Sequence, residues 1–266
     1  MPVNITVLMD NEAGDGLASE WGLSCAVSLG DRLLLWDCGQ SSAFLDNARE
    51  LGIDVAKAEL LALSHGHYDH AGGLPGLLKA GFGGTIYAHP GSTRERFSVR
   101  HDPPESIGVL QGMPPFEPVE GSVEIAPSVI MVTDIPRLPG NYEAIKGFAF
   151  DREGREADHV VDDAFLLIET RQGPVVLLGC CHSGIANSLA VLKDRHGIKQ
   201  VHAVIGGLHL YNSDRDQMEQ ALNALRGCGA SLIVPGHCTG EEATRVLMRK
   251  LDAIVRPMHS GMRLKF

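Results

Sequence analysis

The order of hydrophobic and polar positions divides the chain into short apolar segments separated by turns. Residues 3–9 alternate and are rich in β-branched side chains, which predicts a strand. By the same reasoning, the first half continues with predicted strands at 21–29, 32–36, 60–64 and 85–88 and predicted helices at 42–51 and 73–80. Gly52 and Gly81 follow the two helical segments, and glycine there favours a helix end.

The second half of the chain again alternates strands and helices. Apolar runs predict strands at 164–169, 174–178, 201–205 and 231–234, and helical periodicity predicts helices at 185–195, 214–226 and 239–251. Thr239 and Glu242 have the spacing of a capping box, which would begin the last helix. The two halves are therefore predicted to form two β-layers, each covered by helices, in one domain that spans residues 1–266.

The segment 91–137 differs from the rest because eight of the fourteen prolines fall between Pro90 and Pro136. Such a composition predicts short strands within a long excursion over a functional site. A second polar segment, 146–163, also lacks periodicity and is predicted to be a hairpin or a flap.

Three arginines in the excursion, Arg94, Arg96 and Arg100, have even spacing. In a strand they would share one face, where they could bind an anionic group of a substrate. Two alternatives stay open at this point. The arginines could form a solvated basic face, or they could pair with nearby carboxylates such as Glu95, Asp102 and Glu105.

Metal-binding side chains are concentrated just after the predicted strand at 60–64. His65, His67, Asp69 and His70 are ligand types that suit a borderline metal such as zinc. The two-residue spacing of His65 and His67 points both rings the same way in extended backbone. Asp69 and His70 follow in a turn and can face a second metal. The alternative, a solvated histidine-rich loop, is disfavoured by the apolar lead-in and by the order of the ligands.

Three later histidines, His182, His209 and His237, each follow an apolar strand. Taken singly, each is as consistent with a satisfied core or loop histidine as with a ligand. Together with the residues at 65–70, they are better explained as converging on one site.

The motif HGHYDH at 65–70 resembles the signature of the metallo-β-lactamase-fold hydrolases. Asp37-x-Gly39 resembles the turn that closes a strand in that fold. The resemblance implies an α/β (α+β) αββα sandwich with one or two metals at the sheet ends. It also implies that Asp37 supports the metal loop without binding metal, and that His237 binds the metal held by Asp69 and His70.

One position departs from that family. Most members carry Gly-Asp after a later strand, and the Asp bridges two metals. Here the sequence reads Gly179-Cys180-Cys181-His182. We expect His182 to take the place of the missing Asp, with the Cys180 thiolate as the second candidate.

The motifs EWGLS, GCCHSG, GGLHL and PGHCTG resemble those of a narrower group, related to the 7,8-dihydropterin-6-methyl-4-(β-D-ribofuranosyl)aminobenzene-5′-phosphate synthases. This resemblance implies a metal-dependent hydrolase or transferase with one or two Zn²⁺ ions, with Mg²⁺, Mn²⁺ and iron as alternatives. The first metal would be held by His65, His67 and His182, and the second by Asp69, His70 and His237.

Two kinds of chemistry follow from the resemblance. In the first, a metal-activated water attacks a carbonyl or phosphorus centre, with Asp69 and His209 as the catalytic side chains. In the second, the metals neutralise a departing pyrophosphate while a pterin-like group is transferred, and Arg94, Arg96 and Arg100 bind phosphates.

A redox or sensor protein on the same fold is the alternative from another class. Metal analysis with a visible spectrum would distinguish it.

The composition of the chain limits the classes of molecule that the protein is expected to bind. The net charge of −10 argues against a nucleic-acid surface, so a small molecule, phosphorylated or pterin-like, is the expected partner. Six cysteines without framework spacing and a start that lacks the features of a signal peptide predict free thiols in the cytoplasm. No apolar run approaches the length of a membrane span, and the sequence leaves the oligomeric state open.

Overall fold

In the computed structural model of the protein, which describes residues 2–108 and 112–266, the apolar segments form strands of two large sheets and one small sheet. In chain order these strands are β1 Val3–Met9, β2 Ser24–Leu29, β3 Arg32–Trp36, β4 Leu60–Ala62, β5 Thr85–Ala88, β6 Phe97–Ser98, β7 Glu105–Ser106, β8 Glu117–Pro118, β9 Ser122–Ala126, β10 Val129–Val132, β11 Phe148–Ala149, β12 Phe165–Ile168, β13 Val175–Leu178, β14 Ala203–Gly207, β15 Leu232–Gly236, β16 Ile254–Val255 and β17 Arg263–Lys265. The α-helices are α1 Ala43–Glu50, α2 Tyr68–Ala71, α3 Leu74–Lys79, α4 Ile185–His196, α5 Arg215–Gly227 and α6 Glu241–Lys250.

Each of the two large sheets contains both parallel and antiparallel strand pairs. The first has the order β17-β1-β2-β3-β4-β5-β8 and is parallel from β3 onward. The second has the order β16-β15-β14-β13-β12-β10-β9 and is parallel from β16 to β13. Because parallel strands end at the same edge of a sheet, the segments that follow β4, β13, β14 and β15 are brought together. These are the segments that carry the predicted ligands.

Side-chain alternation explains how the sheets are layered. In β3, Leu34 and Trp36 face the core between the two large sheets, whereas Leu35 faces α1 and α3. In the second sheet, β13 turns alternate side chains to the same central core and to the core under α4, α5 and α6. Both faces of these strands are buried, so their sequences are continuously apolar. The predicted αββα sandwich is confirmed.

The Pro-rich excursion is shorter than predicted. Residues 122–132 form β9 and β10 at one edge of the second large sheet and are not part of a loop over the site. The proline content predicted a longer loop than the chain forms, because Pro118 lies in the edge strand β8 and Pro127 lies in the turn between β9 and β10. Proline is tolerated at both kinds of position. Residues 109–111 of the excursion lie outside the described residues.

The two irregular segments of the sequence meet in the small sheet. Strand β6 pairs with β7 on one side and with β11, from the predicted flap at 146–163, on the other. This small sheet lies beside the metal loop, because His67 forms a bridge with Gly108. No helix among residues 2–108 and 112–266 is long and apolar enough to cross a membrane.

The capping box predicted for the last helix is wrong. Helix α6 begins after Gly240, and Thr239 Oγ1 accepts a hydrogen bond from Leu208 N at 3.0 Å. Thr239 therefore ties the loop after β15 to the loop after β14. Instead, a capping box begins α5, where the Asp214 and Gln217 side chains each accept from the other's backbone N–H.

Candidate metal centre

The metal loop follows β4 and is held by close backbone packing at Gly66. A Cβ atom on Gly66 would lie 2.0 Å from the carbonyl oxygen of Ser92, so this position between two predicted ligands accepts only glycine. The Gly66 N–H donates to Asp162 Oδ2 at 2.8 Å. The loop is therefore fixed from two sides before any ligand is considered.

The first cluster consists of His65, His67 and His182, which are all buried. His65 Nε2 lies 3.1 Å from His67 Nδ1, and the three rings have one nitrogen each within 4.8 Å of the others. Burial, together with the nearby Arg96 cation, lowers the pKa of His67 to about 3. Burial and neighbouring histidines also hold the pKa values of His65 and His182 well below the usual range. All three rings are thus neutral at neutral pH and can offer lone pairs.

The second cluster consists of Asp69, His70, Cys180 and His237. His70 Nε2 lies 3.1 Å from Cys180 Sγ and 3.2 Å from His237 Nε2, and Asp69 Oδ2 lies 3.3 Å from His237 Nε2. Burial opposes a charge on His237, but the bond to Asp69 and other nearby negative charge raise its pKa to about 9. A metal at this cluster would therefore displace a proton from His237.

The outward-facing ring nitrogens are satisfied by acceptors. His70 Nδ1 donates to Asp37 Oδ2, and His182 Nδ1 donates to the carbonyl oxygen of Ala144, each at 2.7 Å. These bonds leave the Nε2 lone pairs of both rings directed into the clusters, as is typical of metal-ligating histidines. Asp37 Oδ1 also accepts from Ser64 N at 2.7 Å, so Asp37 has the supporting position that the resemblance implied.

Asn11 is a supporting residue that the sequence did not indicate. Its side chain contacts His237 twice, with Oδ1 at 3.0 Å from Nδ1 and Nδ2 donating to the backbone oxygen at 3.2 Å. The neighbouring Asp10 accepts from His237 N at 2.9 Å. These residues precede His237 by more than 200 positions (|i−j| of 226 and 227), so no local pattern could reveal the contact.

The donor sets of both clusters fit a divalent metal. His182 Nε2 is buried and has no hydrogen-bond partner within the described chain, and ring nitrogens that face each other at 3.1–3.2 Å repel unless a proton or a cation lies between them. Imidazole, carboxylate and thiolate are together the usual ligands of zinc. The structure thus groups the residues predicted for each metal, and ligation by them remains a prediction.

The two candidates for the missing bridging Asp both reach the site. His182 lies in the first cluster, whereas Cys180 lies in the second cluster and also forms a group with His182 and His209. Cys180 is thus grouped with the ligands of the second cluster and also with His182 of the first, and which of the two residues takes the place of the bridging Asp stays a prediction. Burial raises the pKa of the Cys180 thiol well above its usual range, so the thiolate needs a cation beside it.

Both clusters open into one cavity of about 1110 Å³. Its wall includes Arg100 and Lys146, together with the aromatic side chains Trp21, Tyr68, Tyr142, Phe148 and Tyr211. His209 also lines the cavity, and its Nδ1 is buried without a hydrogen-bond partner among the described residues. Tyr142 Oη donates to the backbone oxygen of His209 at 3.1 Å, which fixes that loop.

The three arginines do not share one face, which corrects the prediction of a common anion site. Arg96 is wholly buried, and its Nη1 lies 3.0 Å from Asp162 Oδ1 and 3.5 Å from Asp158 Oδ2. The backbone at these positions is a two-residue strand with irregular flanks, so even spacing does not set a common direction. Carboxylate pairing therefore describes Arg96, with partners other than those expected.

The other two arginines have separate environments. Arg94 pairs with Glu156 at 2.7 Å at the surface, and its guanidinium lies over the ring of Phe150. Of the three arginines, Arg100 is the one that lines the cavity. It donates to the carbonyl oxygen of Lys146 and stacks 4.2 Å from the centre of the Phe148 ring.

Comparison with known proteins gives matches over most of the chain. The family model of the Metallo-beta-lactamase superfamily matches residues 23–237. The 7,8-dihydropterin-6-methyl-4-(beta-D-ribofuranosyl)-aminobenzene-5'-phosphate synthase of Methanocaldococcus jannaschii is 27% identical, over 99% of this chain and 97% of that protein.

Solved structures match over the same length. Tm1679, described as a metal-dependent hydrolase of the beta-lactamase superfamily, aligns with a TM-score of 0.85 and 30% identity over 98% of both chains. The metallo-beta-lactamase fold protein YhfI from Bacillus subtilis aligns with a TM-score of 0.64 over 100% of this chain and 99% of its own. At 16% identity, the second likeness concerns the fold alone.

Proposed function

The chain belongs to the metallo-β-lactamase superfamily, and from this premise we propose that it is a zinc-dependent enzyme that expels pyrophosphate from a small pterin-like substrate by group transfer. The resemblance read from the motif at 65–70 is confirmed, and the chain is an enzyme of this metal-binding superfamily. Zinc, the transfer reaction and the pterin-like substrate form the proposal.

The observation that carries the proposal is the shared cavity. Residues of both clusters face the same space as Arg100 and Lys146, so an anionic group can meet metal and protein cations together. A volume of about 1110 Å³ suits a small molecule rather than a nucleic-acid strand. The near full-length match to the pterin-related synthase supports the choice of substrate.

The residue at the bridging position favours anion departure over hydrolysis. The resemblance implies a bridging carboxylate after Gly179, where this sequence has Cys180, so one acidic group that could assist the removal of a proton from water is missing. Asp69 is the single carboxylate in the two clusters, and there it would serve as a metal ligand. Expulsion of pyrophosphate needs positive charge at the leaving oxygen and no base for water.

The roles of the other side chains follow from their positions. Bound zinc would neutralise charge on the departing oxygens. Arg100 and Lys146 would bind the outer phosphate oxygens. Asp69, His70 and His237 would hold the metal beside the leaving group. The attacking amine must lose a proton as its nitrogen–carbon bond forms and the carbon–oxygen bond to pyrophosphate breaks. His209 Nδ1, which has no other partner among the described residues, would accept that proton.

The proposal is tested on the zinc-loaded protein with a substrate panel: a 6-hydroxymethyl-dihydropterin pyrophosphate with and without an aromatic amine, a phosphodiester and a lactone. We expect pyrophosphate release that depends on the amine. We also expect Arg100→Ala to raise the inhibition constant of inorganic pyrophosphate about tenfold, because a hydrogen bond to a charged group is lost. The matched variant Arg94→Ala should leave that constant unchanged. Turnover of the lactone or phosphodiester alone would contradict the proposal.

A further inference from the structure

Two aromatic side chains at the mouth of the cavity are unusually exposed. Trp21 and Tyr211 have 44% and 59% of their surface accessible, although both are large and apolar. The other tryptophan, Trp36, is wholly buried in the central core and donates to the carbonyl oxygen of Leu178. Exposed aromatic surface beside a binding site indicates contact with a ligand.

The two exposed rings are held in a defined arrangement. Their centroids lie 6.4 Å apart at an interplanar angle of 74°, and Trp21 lies 5.3 Å from the ring of His237 in the second cluster. Tyr211 is fixed at its backbone, because its N–H donates to the carbonyl oxygen of Cys238 at 3.2 Å. Both side chains line the same cavity as the clusters.

We propose that Trp21 and Tyr211 form a stacking subsite that takes the planar heteroaromatic ring of the substrate. A flat ring can lie against one aromatic face and meet the other edge-on, which is the favoured geometry for aromatic groups. Such stacking tolerates different heterocycles, because every one of them offers a π-face. The inference rests on the proposed function, and it identifies the part of the cavity wall that binds the ring of the substrate.

Arg100, a cation of the cavity wall, lies on the side of the first cluster. Phe148 is 5.0 Å from His67 and 5.4 Å from His182, and the Arg100 guanidinium lies 4.2 Å from the centre of the Phe148 ring. The ring subsite therefore adjoins His237, whereas the cationic wall adjoins the first cluster. A substrate with a flat ring at one end and an anionic group at the other would span both clusters.

The test measures two ligands separately on the zinc-loaded protein: 6-hydroxymethylpterin, which supplies the ring, and inorganic pyrophosphate, which supplies the anion. By calorimetry we expect Trp21→Ala and Tyr211→Ala each to raise the Kd for the pterin about tenfold. Trp21→Phe and Tyr211→Phe, which keep a ring, should change it less than about threefold. The Kd for pyrophosphate should stay unchanged in all four variants. In the wild type, the pterin should quench Trp21 fluorescence and leave the buried Trp36 unaffected.

Other outcomes would overturn the subsite. If both Ala variants bind the pterin as tightly as wild type, the rings do not stack on it. If Trp21→Ala weakens pterin and pyrophosphate equally, Trp21 acts by supporting His237. If either Ala variant dissociates a wild-type dimer, the exposed rings form an interface between copies. Failure of the wild type to bind pyrophosphate would instead count against the proposed function, so the two failures are distinguishable.

Discussion

The double variant His65→Ala/His67→Ala is expected to remain folded and to lose the first-cluster metal and almost all activity. Both rings contribute a nitrogen to the first cluster, and His182 alone cannot hold an ion there. We expect kcat/KM to fall by about 10³-fold or more, since bound metal supplies several kcal/mol of charge stabilisation. Metal content by mass spectrometry and circular dichroism would measure the two effects.

The matched control for this variant is His159→Ala/His196→Ala. His159 is exposed, and the half-buried His196 ring contacts Ser122 Oγ, away from both clusters. The control should keep wild-type metal content and activity. Full zinc stoichiometry in the His65/His67 variant would rule out the first cluster as a metal site.

Replacing Arg96 with alanine is expected to destabilise the protein by about 3–5 kcal/mol, because it leaves buried carboxylates without their cation. Arg96 pairs with Asp162 and Asp158 and donates through Nη2 to the backbone oxygen of Gly91 at 2.8 Å. Asp162 in turn holds the N–H of Gly66 in the metal loop. Urea unfolding at neutral pH would measure the change, and metal affinity should fall with it.

The loss of unfolding free energy that we expect for Arg96→Ala depends on pH. Burial raises the pKa of Asp162, but the Arg96 cation holds it below its usual value, so in wild type the carboxylate stabilises the fold above about pH 4. Without Arg96, burial alone would raise that pKa above the unfolded value. The folded variant would then take up a proton in mild acid, and its deficit should shrink as pH falls from 7 towards 4.

Arg94→Ala is the control for the stability experiment. Arg94 is half-exposed and paired with Glu156, so its loss should cost no more than about 1 kcal/mol. Equal destabilisation by the two substitutions would contradict the buried ion-pair account. An Arg96→Ala protein as stable as wild type would do so as well.

The strands and layers were predictable from the sequence because burial on both faces leaves a direct mark on it. In β13 every side chain is buried, half in the central core and half under helices, so the run is apolar throughout. The histidine motif was equally informative, since consecutive positions in one loop fix their own relative placement. The convergence of His182 and His237 followed from strand ends that meet at one edge.

The parts that sequence reasoning missed depend on contacts between distant segments. Asn11 reaches His237 across the fold, and Arg96 meets Asp158 and Asp162 from another irregular segment. Even spacing predicted a common face only under the assumption of a regular strand, which the chain does not form there. The grouping of Cys180 and His182 with different clusters likewise needed side-chain positions, because the two residues are only two apart.

The most direct test of the account is the ligand shell of the bound metal, measured by X-ray absorption on zinc-loaded protein. We predict one sulfur at about 2.3 Å from zinc in wild type, lost in Cys180→Ser and kept in Cys228→Ser. Cys228 is a matched control, because its thiol is also buried, donates to the carbonyl oxygen of Leu225 and belongs to neither cluster. A shell of nitrogen and oxygen alone in wild type would contradict the account, as would a sulfur that survives in Cys180→Ser.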